Sequence, residues 1–333
     1  MSEYSIDHLA EHVRIGYGYR PWWGDEATRR GISETTWSRP GAIPMTEVYE
    51  VLGDKLELQP MYEPDLTTSE FQRVVNPRTG TRIGAPVGKG YRIHQPAAWL
   101  ADHAAPLVEA MSAEGLGVAT VMTLGDGAKS ALTLSLPDSL KSATGMEVRP
   151  WTALKTSHDQ SLATATHNGH TLVVCDNTAR LSENGTLVGF KVKHTRNSGD
   201  RKQEYGEAIR SFFGYATQVL ADIDALASVE VSDAAFERII AKWVGDPGDT
   251  KQGQTKAQNA TDRLVSLWRH DLRVAPWRGT ALGVVQATNT YQTHYATVRG
   301  MHRAERQMEA LVKGVDIDAE IRKILTDAAL VAV

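Results

Sequence analysis

The stretch GVATVMTLGDGAKSALTLSL, Gly117 to Leu136, decides the fold class. It contains two short runs of apolar or β-branched residues, GVATVMTL and ALTLSL, and the segment between them includes Gly and Asp. Val and Thr favour strands, whereas Gly and Asp favour turns. The stretch therefore predicts two consecutive strands joined by a turn.

Similar runs continue on the C-terminal side of this stretch. They are EVRPWTAL, SLATATHNG, TLVVCDN and LVGFKVKH, again with Gly, Asp and Asn between them. We interpret residues 116–193 as one β-sheet. Because HNGH falls between two of these runs, it is interpreted as a turn.

A hairpin is predicted on the N-terminal side, in FQRVVNPRTGTRIGAPVGKGYRIHQ. Pro77 and Gly80 interrupt two β-rich runs there and indicate a turn. Before it, TEVYEVLGDKLELQPMY predicts a short helix and then a strand. After it, PAAWLADHAAPLVEAMSAEG predicts a helix that Pro106 would kink.

The C-terminal part of the chain is predicted to be helical. Apolar residues recur at helical spacing in QEYGEAIRSFFGYATQVLADIDALA and in DAAFERIIAKWVG. The polar segment DPGDTKQGQTKAQNA is interpreted as a linker. Further helices are expected around residues 257–270, 279–300 and 317–331.

This order of elements predicts an α+β fold, namely a mainly antiparallel sheet with a hairpin and packed helices, followed by a helical C-terminal region. We divide the chain into an N-terminal arm with the first helix and strand (1–70), an α+β core (71–230) and a helical C-terminal region (231–333).

A basic tract, GFKVKHTRNSGDRK, closes the predicted sheet in a chain whose net charge is −4. Val188, Phe190 and Val192 alternate with Gly189, Lys191 and Lys193, so both lysines are expected on the outward face of a strand. Two interpretations stay open for this face: it binds an anion, or its lysines protect an edge strand from aggregation.

Composition restricts the class of protein. Cys175 is the only cysteine, which excludes an intramolecular disulfide and zinc sites of the CxxC type and fits a reducing cytoplasm. No run of 18 apolar residues occurs, so no membrane span is predicted. The N-terminus has no apolar region of the secretory type.

No catalytic or metal motif is convincing. HLAEH, His8 to His12, matches a zinc-peptidase pattern but lies close to the N-terminus without a preceding strand. GAPVGKG and GDGAKS do not fit the phosphate-loop spacing. Cys175 before Asp176 is interpreted as part of a corner between a strand and a helix. We predict neither catalytic residues nor a metal or cofactor.

Ordered motifs over nearly the whole chain resemble the phage/plasmid-like proteins, a family described as a domain of unknown function. The motifs are Pro21–Trp22 with Gly24, GKGYRIHQ, VVCDNT, KHTRNSGDRKQEYGEA and WRGTALGVVQATNTYQTHY. Trp23 stands where a histidine is common in the family. The occurrence of the family in phages and plasmids, and an order of sheet and helices like that of phage single-strand annealing recombinases, imply DNA annealing in the cytoplasm of a bacterial host.

We therefore predict a non-enzymatic, oligomeric protein that binds and anneals single-stranded DNA and has no membrane partner. Such a protein needs a basic groove and aromatic or apolar faces for bases. The predicted nucleic-acid-binding residues are Lys191, Lys193, Arg196, Arg201, Lys202, Lys89, Tyr91, Arg92 and Arg82.

Two alternatives stay open. The first is a metal-dependent enzyme of phage DNA or nucleotide metabolism that uses His158, Asp159, His167, His170 and Asp176. The second is a host-interaction or anti-defence protein.

Overall fold

The computed structural model describes residues 33–37, 41–53, 55–138, 140–172, 178–179, 190–201, 212–298, 300, 303, 306, 310 and 317–327. The strands are β1 Ser33–Trp37, β2 Glu57–Tyr62, β3 Thr68–Val75, β4 Arg82–Gly88, β5 Gly117–Leu124, β6 Lys129–Ser135, β7 Leu140–Lys141, β8 Glu147–Ser157, β9 Thr164–Leu172, β10 Thr178–Ala179 and β11 Phe190–Val192.

The helices come in two groups along the chain. The α-helices are α1 Met45–Leu52, α2 Asp102–Ala110, α3 Phe212–Ser228, α4 Asp233–Val244, α5 Lys251–His270, α6 Ala281–Thr290 and α7 Ala319–Asp327. A π-helical turn, Ala97–Ala101, leads into α2, and another, Tyr291–Tyr295, continues α6.

The larger sheet confirms the strands predicted from the opening stretch. Its order is β1-β5-β6-β8-β9-β10, with β7 also pairing with β8 and β11 with β9. These pairings are antiparallel. Together with the helices of the C-terminal region, this sheet confirms the α+β fold class.

The predicted hairpin forms part of a smaller sheet of order β2-β3-β4. Its turn is closed by the Gly80 N–H, which donates to the Asn76 carbonyl oxygen at 2.8 Å. Gly80 has a φ of +73°, a conformation that glycine adopts at little cost. The sheet extends on both sides of residue 70, and the division into three parts stays a prediction.

Two hydrophobic cores hold the helices. α1, α2 and the first π-helical turn pack with sheet residues such as Val121, Leu132 and Leu154. The C-terminal helices form the second core, which Met146 and Val148 from the larger sheet complete. Because β8 contributes Val148 to one core and Leu154 to the other, this strand connects them.

The interpretation of HNGH as a turn is wrong. His167 and Gly169 lie inside β9, where Gly169 pairs with Trp151 of β8. A Cβ atom at residue 169 would overlap the Trp151 ring. The glycine is therefore a place where a large ring covers the backbone of the neighbouring strand.

The interpretation of the polar segment after Gly245 as a linker is also wrong from Lys251 onward. α5 begins at Lys251, and the Thr250 hydroxyl accepts a hydrogen bond from the Gly253 N–H at 3.1 Å. This is an N-terminal cap, which satisfies a backbone donor that the first turn leaves free.

None of the helices among the described residues is long and apolar enough to span a membrane. HLAEH, the Pro21–Trp22 element, the VVCDNT corner except Thr178, and Lys202 lie outside the described residues.

Candidate nucleic-acid interface

The two basic segments, GKGYRIHQ (88–95) and KVKHTRNS (191–198), lie side by side. Tyr91 forms an antiparallel bridge with Thr195, and the Arg92 N–H donates to the His194 carbonyl oxygen at 3.2 Å. Neither segment contains an Asp or Glu. Their pairing therefore brings cationic side chains together, and neither segment contributes a carboxylate.

The alternation predicted for the second segment is confirmed for its described residues. Lys191 and Lys193 are exposed, whereas Val192 between them is 4% exposed and belongs to the hydrophobic core of α1 and α2. The buried valine fixes the strand so that both lysines extend from the same face.

A column of four stacked rings joins the two segments. Its members are Trp99, His94, His194 and Tyr91, and we call it the ring column. The ring centroids of Trp99 and His94 are 3.9 Å apart, those of His94 and His194 are 4.0 Å apart, and those of His194 and Tyr91 are 5.3 Å apart. Three of the rings belong to the first segment or the turn that follows it, so stacking on His194 holds the second segment in place.

Buried hydroxyl groups fix the orientation of the histidines. His94 Nδ1 is 2.6 Å from Thr164 Oγ1, and His94 Nε2 is 2.7 Å from Ser198 Oγ. Thr164 Oγ1 is in turn 2.7 Å from Thr156 Oγ1. Because both nitrogens of His94 are engaged, its ring is held in one orientation between the sheet and the loop after β11.

Two histidines of this region, His194 and His158, are uncharged at neutral pH. Burial lowers the pKa of His194 to about 4, against a hydrogen bond with the Arg92 carbonyl that favours the charged form. Burial and the nearby His194 lower the pKa of His158 to about 3. The positive charge of the interface therefore comes from lysine and arginine side chains.

The residues suggested for a metal-dependent enzyme are not assembled into a site by the described part of the structure. His158 is fully buried beside His194, whereas His167 is buried in β9 near Trp151. The side chain of His170 and the whole of Asp176 lie outside the described residues. Where side chains are described, no group of three or more His, Cys, Asp or Glu could hold a metal ion.

Asp159 is a carboxylate whose charge raises the pKa values of Tyr91 and His158, and it is already paired. Its Oδ2 lies 3.2 Å from Lys129 Nζ, and Ser161 donates to its Oδ1 through both its hydroxyl and its N–H. Burial raises the pKa of Asp159, but these hydrogen bonds and the Lys129 charge outweigh burial and lower it. Asp159 is thus an anion that Lys129 largely neutralises.

The predicted binding residues take three kinds of position. Five of them are exposed on the two paired segments: Lys89, Arg92, Lys191, Lys193 and Arg196. Arg82 is exposed on β4, in the smaller sheet. Only the backbone of Arg201 is described.

Tyr91 has a different environment from the one that its position beside the cations suggested. It is half-buried in the ring column, and burial and the Asp159 charge raise the pKa of its hydroxyl. Its ring therefore connects the two segments.

Sequence reasoning missed Phe71, which the smaller sheet presents to solvent, as it does Tyr62 of β2. Phe71 is 53% exposed, and it shares a face of β3 with Arg73 because Val74, the next residue, is buried in the opposite direction. Arg82 lies on that face too, since its neighbour Ile83 is buried with Val74. The spacing of Phe71 and Arg73, two residues apart with Val74 next in the run, was the available signal.

A family model described as a domain of unknown function, DUF932, matches residues 85–312. Neither a curated protein nor a solved structure matches the chain. The matched range includes both basic segments and the whole ring column.

Proposed function

The chain belongs to the DUF932 family of unknown function, and we propose that it is a phage-type protein that binds and anneals single-stranded DNA. It acts as an oligomer and without nucleotide hydrolysis. The observation that carries the proposal is the pairing of two segments that contain cations and no carboxylates, through the Tyr91–Thr195 bridge.

This surface has the components that binding of a single strand without sequence preference requires. Exposed lysines and arginines contact phosphates, and an exposed aromatic ring offers a face on which a base stacks. The paired segments supply the cations, and Phe71 with Arg73 and Arg82 supplies an exposed ring and further cations on the smaller sheet. The rigid ring column positions the cations before any strand arrives, which lowers the entropy cost of binding.

The strongest test is reversal of the two strand lysines. We expect Lys191→Glu with Lys193→Glu to weaken the binding of a labelled oligo(dT) by tenfold or more, measured by fluorescence anisotropy. Loss of two phosphate contacts should also reduce the slope of log K against log salt by about 1.4. The melting temperature should change little because both lysines are exposed.

The matched control is Arg238→Glu with Lys323→Glu, which changes the net charge equally on exposed sites of α4 and α7. Undiminished binding by the β11 variant, or equal losses in both variants, would contradict the proposal. If the lysines only protect an edge strand, the β11 variant should aggregate more readily and bind DNA as before.

A further inference from the structure

A cavity of about 1260 Å³ lies far along the chain from the ring column, in the helical C-terminal region. α5 forms one wall with residues that include Lys251, Lys256 and Arg263. The opposite side is formed by the second π-helical turn, with Tyr291 and Tyr295, and by Arg306. The volume exceeds the roughly 300–1,000 Å³ of ordinary small-molecule pockets.

The cavity wall is the polar face of α5, while the other face of this helix is part of the core. Leu264, Leu267 and Trp268 are buried in that core. A polar helix face is normally only solvated surface. This face differs because it lines a cavity together with the two tyrosines of the second π-helical turn and with Arg306.

The four cations of the cavity have no carboxylate within ion-pair distance in the described part of the chain. Among the described lining residues, Asp262 is the one acidic residue, and its Oδ1 accepts a hydrogen bond from Gln258 Nε2 at 2.8 Å. Burial, and after it the charge of Arg306, lowers the pKa of Arg303. Among the described lining residues cations outnumber carboxylates, which favours the binding of an anion.

Two of the arginines are already oriented. The Arg263 guanidinium carbon lies 4.7 Å from the centroid of the Tyr295 ring, within the range of a cation–π contact. Arg306 donates through Nη1 to the Thr297 carbonyl oxygen at 3.3 Å. Both arginines therefore need little reorganisation to meet a phosphate, whose geometry suits a guanidinium group.

We propose that this cavity binds nucleotide units: Lys256, Arg263 and Arg306 contact the phosphates, and a base lies against Tyr291 or Tyr295. The assignment of these units to a single strand rests on the proposed function, whereas binding of the nucleotide unit does not. The site is separate from the interface of the ring column and adds a second contact for the same class of ligand.

The test uses the full chain and a thymidine dinucleotide with a 5′-phosphate, measured by calorimetry. We expect Lys256→Gln with Arg263→Gln to weaken binding of this dinucleotide by about tenfold or more, since hydrogen bonds to charged groups are lost. Arg238→Gln with Lys323→Gln, the control on α4 and α7, should bind as the unchanged chain does. Lys256→Gln alone leaves the Arg263–Tyr295 contact in place and should show a smaller loss.

The outcomes separate this inference from the proposed function. The inference is overturned if the unchanged chain does not bind the dinucleotide, or if the Lys256→Gln/Arg263→Gln variant binds it equally well. If that variant also binds oligo(dT) more weakly, the cavity binds part of the DNA strand. If it weakens only the dinucleotide, the cavity is a site for free nucleotide. If oligo(dT) does not bind but the dinucleotide does, the proposed function fails and the cavity remains a nucleotide site.

Discussion

His194 is the residue on which the candidate interface depends most. In sequence it is one member of a basic tract, but in the structure its ring stacks between His94 and Tyr91 and its backbone oxygen accepts from the Arg92 N–H. A neutral imidazole suits this position, because a charged ring buried between aromatic neighbours would have to be desolvated.

Stability should therefore decrease as the pH falls from 7 to 5. The unfolded chain protonates His194 near 6.5, whereas the pKa of the folded ring is about 4, so the unfolded state binds more protons in this interval. The contribution of His194 to the loss of unfolding free energy is at most about 2 kcal/mol, because part of the ring meets solvent. His158, with its lower pKa, acts in the same direction.

The check is thermal unfolding of His194→Phe at both pH values. Phenylalanine keeps a ring in the column but does not titrate, so this variant should lose less stability between pH 7 and pH 5 than the unchanged chain. Tyr91→Phe is the control, since the raised pKa of Tyr91 keeps it protonated in both conditions. Equal losses in all three proteins would show that His194 does not contribute to the pH dependence.

At the scale of elements, α5 is the helix whose N-terminal part was wrongly interpreted as a linker because its residues are polar. Its first half is polar and contains Gly253, which is typical of a linker. The cap at Thr250 begins the helix, and packing of Leu264, Leu267 and Trp268 against the C-terminal core stabilises the rest. Tertiary packing thus outweighs the weak helix propensity of the N-terminal half.

We expect Thr250→Ala to lower the free energy of unfolding by about 1 kcal/mol, because the Gly253 N–H loses its acceptor. Urea unfolding measures this change. Thr250→Ser keeps an acceptor and should restore most of the stability. Thr255→Ala removes a hydroxyl that donates to the Lys251 carbonyl within the same helix, and should change stability by less than about 0.5 kcal/mol. Indistinguishable effects of Thr250→Ala and Thr255→Ala would contradict the role of the cap.

At the scale of the whole molecule, the net charge of the chain is −4, yet its described residues form two cationic sites, the paired segments and the α5 cavity. A negative net charge disfavours non-specific binding of polyanions, while local basic surfaces still attract one. Annealing also requires that two strands be held together, which an oligomer with one surface per protomer achieves.

The predicted oligomer is tested by size-exclusion chromatography with light scattering, with and without oligo(dT). We expect a mass that is a multiple of the monomer, larger with DNA. The increase in mass on addition of DNA should disappear in Lys191→Glu with Lys193→Glu but persist in Arg238→Glu with Lys323→Glu. A strict monomer at high concentration with DNA would contradict an annealing mechanism that needs assembly.

Much of the fold could be predicted because its signals are local. The runs GVATVMTL and EVRPWTAL match β5 and the greater part of β8, and the alternation around Val192 correctly placed Lys191 and Lys193 on the exposed face. Prediction failed where a residue distant in sequence determines the local secondary structure. The Gly169 region resembles a turn, but Trp151 on the next strand covers that glycine and keeps it in β9.

The sequence by itself determined the antiparallel α+β fold, the exposed lysines and the membership of the DUF932 family, since these follow from side-chain alternation and motif order along the chain. Only the tertiary structure decided that the two basic segments meet, because Arg92 and His194 are 102 positions apart and no local pattern relates them. Their contact requires the β9–β11 pairing and the stacking of His194 on His94. The α5 cavity likewise depends on the tertiary structure, since its lining combines α5 with the second π-helical turn and Arg306.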